Sequence, residues 1–417
     1  MNWRVVYKVI SRANSKYPFY EGKFSYADSE TSKIARKIPK QRVGWGRRAV
    51  EMRANKTHFD RFENDTIGLN EVFNELRGPE AFNKLKEDLL VCGVGFLALA
   101  GDRVMPFSAL EATGTYDWRE QNLKDGVAIY REYTNMNRNS VNAPDSYVQY
   151  KPDVTISVDG NSVTQTANVT GRPLMTLLTY RSTVKQPFGR TVLSAPARDA
   201  MIEASRTVRQ ATIAGYHYNV KVDVILGADS ETEVDTIKSQ TGDVLKIGAN
   251  DNGQIPQIGQ FAQHALAPFN DSILIAARNF CTETKLNLSN LNISTSAAPT
   301  SPEELEIVGD DLRDDITEWQ KEVGEQLKYF AVTLWMNKNG VTKLDANLQQ
   351  KINAIKVAWL PIFKPDVSKF GDGLNKIADK APAIVKQRSI WRNLGLTSRE
   401  IDDVIDNIPE SDDNKTS

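Results

Sequence analysis

At Leu193 the apolar period of this chain changes from two to between three and four, and the new period holds for about 25 residues. Ser194 can cap a helix there, and Pro196 falls in its first turn, where a missing amide proton costs little. Beyond it Ala197, Met201, Ala204, Val208, Ala211 and Gly215 recur at intervals of three and four. A stripe of such small side chains lets backbones approach closely. Burying it calls for a partner helix, from the same subunit or an adjacent one. Arg198, Asp199, Glu203, Arg206 and Arg209 occupy the other faces, so the element offers charge as well as a seam.

A second long element follows. Ser301 is placed as N-cap, Pro302 lies in the first turn, and Glu304 holds the capping-box position. The helical period then runs to about Met336, with at most a kink at Gly324. Roughly 35 residues is long for a globular domain and suggests an element crossing one whole dimension of an assembly.

Between and around these helices the pattern is mixed. A helix is expected over Arg47–Phe62, behind Gly44 and Gly46. Glu71–Leu90 is split by Gly78-Pro79, with Phe82, Leu85, Leu89 and Leu90 on one face of its second half. The run VCGVGFLALA, Val91 to Ala100, reads as buried strand with close backbone approaches at Gly93 and Gly95. Residues 127–180 are β-like, and Asp159-Gly160-Asn161 is a hairpin turn candidate. Short β-like pieces at 220–227 and 243–248 are joined by a polar segment and followed by a loop, ANDNGQIPQIGQ. Phe269, Ile273, Ala276, Ala277 and Phe280 then mark another helix, and residues 284–305 read as a loop. From 341 onward the chain is helical in outline, with Ile401, Val404, Ile405 and Ile408 forming a compact last pattern.

With 40% apolar and 25% charged residues in 417, the chain has the composition of folded protein with room for several structural units. The formal charge is only −1, which gives no support to coating of nucleic acid by bulk charge and leaves a local patch open. That total hides local blocks. Met1–Arg61 holds fifteen basic and five acidic residues, whereas Glu303–Glu325 holds ten acidic and two basic. Arg399–Ser417 has seven acidic and two basic. Blocks of opposite sign permit neighbouring copies, or distant parts of one copy, to meet. The N-terminal sequence lacks the apolar core of a signal peptide, and ten apolar residues at Val91–Ala100 fall short of the roughly 20 that span a bilayer. A soluble protein of a reducing compartment is expected.

Catalytic constellations are missing. There is no phosphate loop, no dinucleotide fingerprint and no G-x-S-x-G elbow. Two cysteines, Cys92 and Cys281, and three scattered histidines, His58, His217 and His264, give neither a disulfide framework nor a zinc site built from Cys and His. Asp310, Asp311, Asp314 and Asp315 fall in pairs on shared helical faces and could hold Mg²⁺ as in some nucleases. No matching ligands or activating base accompany them, so a solvated or channel-facing acidic stripe is the expectation. No catalytic, cofactor or metal residue is therefore assigned.

The stretch YRSTVKQPFGRTVLS, Tyr180 to Ser194, resembles the portal proteins of tailed bacteriophages, especially the siphophage kind. In that family a [PF]-G-x-S-x-[LI] element leads into a long helix that ends before an L-L-G strand. Pro187, Phe188, Gly189, Arg190, Leu193 and Ser194 match the element, with Thr191 where Ser is commoner, and Leu226-Gly227-Ala228 match the strand end. Ile255 to Phe261, with Leu266 and Pro268, is similar to the approach to the family's second long helix. Leu394, Gly395, Leu396, Thr397, Ser398, Glu400 and Ile401 are similar to its C-terminal element. The family often carries Pro-Pro and Leu-Gly after the second helix, where this chain has TKLNLSNLNIS at 284–294. The resemblance covers roughly residues 170–408, and its strength lies in the order and spacing of several motifs.

What this resemblance implies is an α+β portal fold with a mixed α/β wing, long stem helices, a small clip and a helical C-terminal crown. The N-terminal wing region would be 1–190, the first stem helix 191–219, the clip 220–261 and the second stem helix 262–283. A tunnel loop would follow at 284–302, a long wing helix at 303–340, helical wing and crown at 341–408, and a disordered acidic tail at 409–417. Asn290, Asn292, Ser294, Thr295 and Ser296 are the candidates to meet DNA, and Ala197, Met201, Ala204, Val208 and Ala211 the stem-packing candidates. The implied protein is no enzyme and takes no cofactor. It assembles in the host cytoplasm and resides in the virion as a ring, typically of twelve copies, at one capsid vertex. The implied partners are the terminase large subunit, the major capsid and scaffolding proteins, a head–tail adaptor and double-stranded DNA. The alternatives are another virion assembly protein, which would not need the helix–clip–helix excursion, and a metal-dependent nuclease resting on the acidic run.

Overall fold

The computed structural model describes residues 3–27, 38–130, 146–218, 223–226, 235–239, 242–246, 257–260, 267–293, 310–362, 387–393, 396 and 398–406. The chain divides into two units. One comprises Met1–Phe24, Gly44–Asp199 and Asn279–Ser417, the other Ser25–Val43 and Ala200–Arg278. Helices and antiparallel strands occur in separate stretches, so the fold is α+β, as expected.

The larger unit begins with helices α1 (Trp3–Asn14), α2 (Tyr17–Glu21) and α3 (Trp45–Ala54), then strand β1 (Phe59–Glu63). The helix expected over Arg47–Phe62 thus ends at Ala54. Asn55 and Lys56 turn the chain, and Phe59 and Phe62 enter a ladder with β14 (Lys356–Trp359), some 300 residues away. No local period could announce that pairing. Phe59, Phe62, Phe73, Phe82 and Trp359 close over it with edge-on rings whose centroids lie 5.0–6.1 Å apart.

Gly78-Pro79 does separate two helices, α4 (Leu69–Glu75) and α5 (Gly78–Cys92). A side chain at Gly78 would collide with the Phe73 ring. Two strands follow, β2 (Val94–Ala100) and β3 (Arg103–Ser108). β2 is the centre of a three-stranded sheet, between β3 and β9 (Met175–Thr179), and packs under α5. Buried along its first five residues, it reads as a continuous apolar run and lacks the alternation of a half-exposed strand.

A separate five-stranded meander runs β4 (Ala112–Asp117), β5 (Asn122–Ile129), β6 (Ser146–Tyr150), β7 (Val154–Asp159) and β8 (Ser162–Ala167). Gly160 turns the β7–β8 hairpin with φ +55°, where a turn was expected. Amphipathic α1, which the sequence reading passed over, lays Val6 and Ile10 against Val127, Ile129 and Tyr147 of this sheet.

The chain leaves the larger unit through α6 (Ala195–Tyr218) and returns through α7 (Ala267–Thr284). Between them lie β10 (Asp223–Leu226), β11 (Asp235–Ser239), β12 (Gly242–Lys246) and β13 (Gln257–Gln260). β10 pairs with β13 and β11 with β12, both antiparallel. Two of these strands correct the expectation: β11 lies in the segment taken as a polar connection, and β13 in the segment taken as a loop. Their polar sequences, DTIKS and QIGQ, carry no run of apolar residues to announce a strand.

In the second unit the small-residue stripe is flanked by contacts from within the chain. An extended stretch from the chain's own N-terminal region lies on α6. Ile38 packs with Ile213, the Val43 amide donates to Ser205 Oγ at 3.1 Å, and Thr212 Oγ1 donates to Gln41 Oε1 at 3.1 Å. Ala197, Met201 and Ala204 are fully buried, while Val208 and Ala211 are half-buried.

The long C-terminal helix α8 spans Asp310–Asn339, thirty residues without a break. Its expected start near Ser301 lies outside the described residues. Gly324 is no kink: a Cβ there would stand 3.3 Å from Val357 Cβ, so the glycine lets β14 lie close on the helix. After α9 (Ala346–Ala354) the chain forms β14, where a helix had been expected, and the described residues close with α10 (Arg388–Asn393) and α11 (Ser398–Asp406). Ile401, the centre of the last apolar pattern, is fully buried. Among the described residues no helix is long and apolar enough to cross a membrane.

Candidate functional site

Of the residues that carry the resemblance, the Pro187–Ser194 element meets the end of α5 just before α6 begins. α5 ends at Gly93, whose φ of +88° closes the helix in the left-handed conformation. A Cβ there would lie 2.5 Å from the Arg190 carbonyl carbon. Gly189, with φ +69°, faces the same crossing from the other strand: its Cβ would lie 2.3 Å from Gly93 O and 2.8 Å from Tyr180 O. Three backbone stretches therefore meet at contact distance. They are stitched by Tyr180 N to Gly93 O (3.0 Å), Arg190 N to Tyr180 O (2.7 Å) and Val192 N to Leu90 O (3.1 Å). Thr191 keeps the hydroxyl its position calls for, donating to Val91 O at 2.6 Å and accepting from Leu193 N at 2.9 Å. Phe188 packs edge-on to Tyr116 at 6.2 Å. The Pro187–Ser194 element is thus a launching device for a helix.

Ser194 then caps α6, accepting from Ala197 N at 3.3 Å. The same hydroxyl donates to Glu283 Oε2 at 3.0 Å, which joins the first turn of α6 to the last turn of α7. The way out and the way back share one root.

Just past α7, Lys285 takes φ +50° and the chain makes a 3-10 turn, Leu288–Leu291. Asn287 and Asn290 satisfy one another's backbone amides across it. Asn292 ends the turn in the left-handed conformation. The first part of the segment read as a loop is a closed turn, encoded by asparagines that no apolar period reveals. Asn290 is half-buried and Asn292 exposed, while Ser294, Thr295 and Ser296 lie outside the described residues.

Beneath this root lies a buried charge cluster. Arg53 of α3 is 1% exposed and Asp315 of α8 is fully buried. Arg53 Nε donates to Asp315 Oδ2 at 2.8 Å, Tyr180 Oη donates to the same oxygen at 2.6 Å, and Arg181 Nε donates to Oδ1 at 2.8 Å. Lys285 Nζ stands 3.9 Å from Oδ1. Arg53 spends its remaining donors on main chain, Nη1 to Ala49 O at 2.9 Å and Nη2 to Thr284 O. Burial alone would raise the Asp315 carboxyl. The Arg53 charge, the Tyr180 hydroxyl and the Arg181 charge outweigh it and hold the group below its ordinary value. Burial first, then the Asp315 charge, pushes the Tyr180 phenol up to about 12 against the pull of Arg53 and Arg181. The cluster joins α3, α8 and the stretch after β9 through one carboxylate.

α8 also seals the open edge of β9. Trp319 Nε1 donates to Thr179 O at 3.2 Å, and Gln326 Oε1 accepts from Thr179 N at 2.9 Å. Glu322 Oε1 accepts from Thr179 Oγ1 at 2.6 Å and from Ser182 N at 3.0 Å.

These contacts revise the reading of the acidic run. Asp315 is not part of a solvated stripe, because three side-chain donors consume its oxygens. Asp310 pairs with Arg313 along the helix, and Asp311 and Asp314 stay exposed. Sequence reasoning missed Arg53, Tyr180 and Arg181 as a set. The signal available was an arginine on the same buried face of α3 as Ala49, Val50 and Ala54.

No family model matches the chain, and no curated protein matches it. Among solved structures, it is similar to a chain from the virion of a native gene transfer agent particle, with TM-score 0.49, 11% identity and 89% of each chain covered. A chain from the neck of the native particle, computed with C12 symmetry, gives TM-score 0.46 and 11% identity, over 95% of this chain and 99% of that one. A chain from the neck of the empty particle, computed with C6 symmetry, gives TM-score 0.47 and 13% identity, over 93% and 96%.

Proposed function

We propose that the chain is the subunit of a portal, a homo-oligomeric ring at one capsid vertex through which double-stranded DNA is packaged and later ejected. The observation that carries the reading is the excursion: a glycine crossing launches α6, four short strands follow, α7 returns, and Ser194 bonded to Glu283 joins both helices at one root. In a ring, α6 and α7 serve as stem helices, β10–β13 as the clip, and the larger unit as wing and crown. The terminase large subunit docks at the clip and supplies the ATP hydrolysis. Capsid, scaffolding and adaptor proteins hold the ring in the virion.

Residues 284–302 follow α7 and carry no charge after Lys285. As the tunnel loop they touch the outside of the duplex without the tight phosphate grip of a cationic lining, and without reading base edges. Replacing Asn290–Ser296 with a shorter Gly-Ser linker is expected to leave ring assembly intact while lowering the DNA packaged or retained per particle. A variant that packages and retains DNA normally would remove the loop from this role.

A further inference from the structure

We infer that Arg48 and Arg53 of α3 are positioning residues for the segment that follows α7, and that they set where its DNA-facing part begins. The tie to DNA rests on the portal reading; the clamp itself rests on geometry. A helix C-terminus leaves its last carbonyls without intrahelical partners. At the end of α7 one of these, Thr284 O, receives Arg53 Nη2, a cation placed where the helix dipole favours it. Six residues on, Arg48 Nε donates to Asn290 O at 3.0 Å. The Trp45 ring of the same short helix packs on Phe280 at 5.5 Å. One helix of ten residues thus holds the last turn of α7 and both ends of the 284–290 stretch.

Two features make this more than general packing. The held groups are backbone carbonyls, so the grip does not depend on which side chains the loop carries. The enclosed stretch has little freedom left, since Lys285 is left-handed and Asn287 and Asn290 close the turn upon each other. The clamp therefore converts a helix end into a fixed base, and a push on the residues beyond it is delivered to α3 and the Arg53–Asp315 pair.

Arg48 is exposed, so its replacement spares the core, whereas loss of Arg53 endangers folding. The test uses the full-length chain as Arg48→Ala and Arg48→Lys, read by amide hydrogen exchange and by DNA content of assembled particles. Arg48→Ala is expected to speed exchange at Asn290, Asn292 and Ile293 by roughly three- to tenfold, the loss of one charge-assisted hydrogen bond, with β2 and β9 unchanged. Ring yield should hold while packaged DNA falls, and Arg48→Lys, which still donates to a carbonyl, should recover much of both. Unchanged exchange in Arg48→Ala would overturn the clamp. Faster exchange with normal DNA content would overturn its link to DNA passage. If particles carrying the unaltered chain hold no ring, the portal reading fails and the exchange result stands alone.

Discussion

Asp315 shows how one side chain can be read wrongly from its neighbours. In sequence it is the fourth carboxylate of an acidic run; in the fold it is the acceptor that joins α3, α8 and the stretch after β9. Its folded pKa lies below the unfolded value of about 3.9, so the stability it contributes is complete above that pH and drains away as pH falls through the folded value. Asp315→Asn is therefore expected to flatten the acid side of the stability curve, measured by urea unfolding at a series of pH values below about 5. At neutral pH the same change leaves Arg53 buried without its counter-charge and should cost about 3–5 kcal/mol. An acid limb as steep as that of the unaltered chain would contradict this. The glycines were easier to read. Gly93 and Gly95 were legible as close approaches because glycine next to a strand has few other uses, although their partners, the Arg190 backbone and Leu85, were not. Arg53 was hidden because its pairing lies 262 residues away.

At the scale of elements, what the sequence encodes locally came through. The cap at Ser194, the break at Gly78, the turn at Gly160 and the length of α6 all follow from neighbours within one or two turns. Elements specified by distant partners did not: β1 and β14 define each other, β13 exists through β10, and the Asn287–Asn290 turn has no apolar signature. The seam of α6 lies between these cases. Its small residues were visible, and the contacts that Val43 and Gln41 make beside them with Ser205 and Thr212 were not, because those partners lie 162 and 171 residues apart in the chain. Ala204 is fully buried within the chain beside Ser205, which accepts from Val43. Ala204→Leu is thus expected to overpack the chain itself and cost about 1–3 kcal/mol, seen as a lower Tm of the unassembled subunit. Normal subunit stability with impaired assembly would instead place the seam at a neighbour.

At the scale of the whole molecule, the chain passes from the larger unit into the smaller one and back twice, at Ser25–Val43 and at Ala200–Arg278, and charges cancel in total while standing apart along the chain. On the portal reading proposed above, blocks of opposite charge are where neighbouring copies meet. The most direct test images DNA-filled particles that contain this chain, together with the mass of the complex extracted from them. A single closed ring per particle, at one vertex, with a central channel bordered by α6, α7 and the segment after Thr284, is the predicted result. A monomer, a two-fold dimer, or copies spread over many vertices with that segment on an outer rim would contradict it.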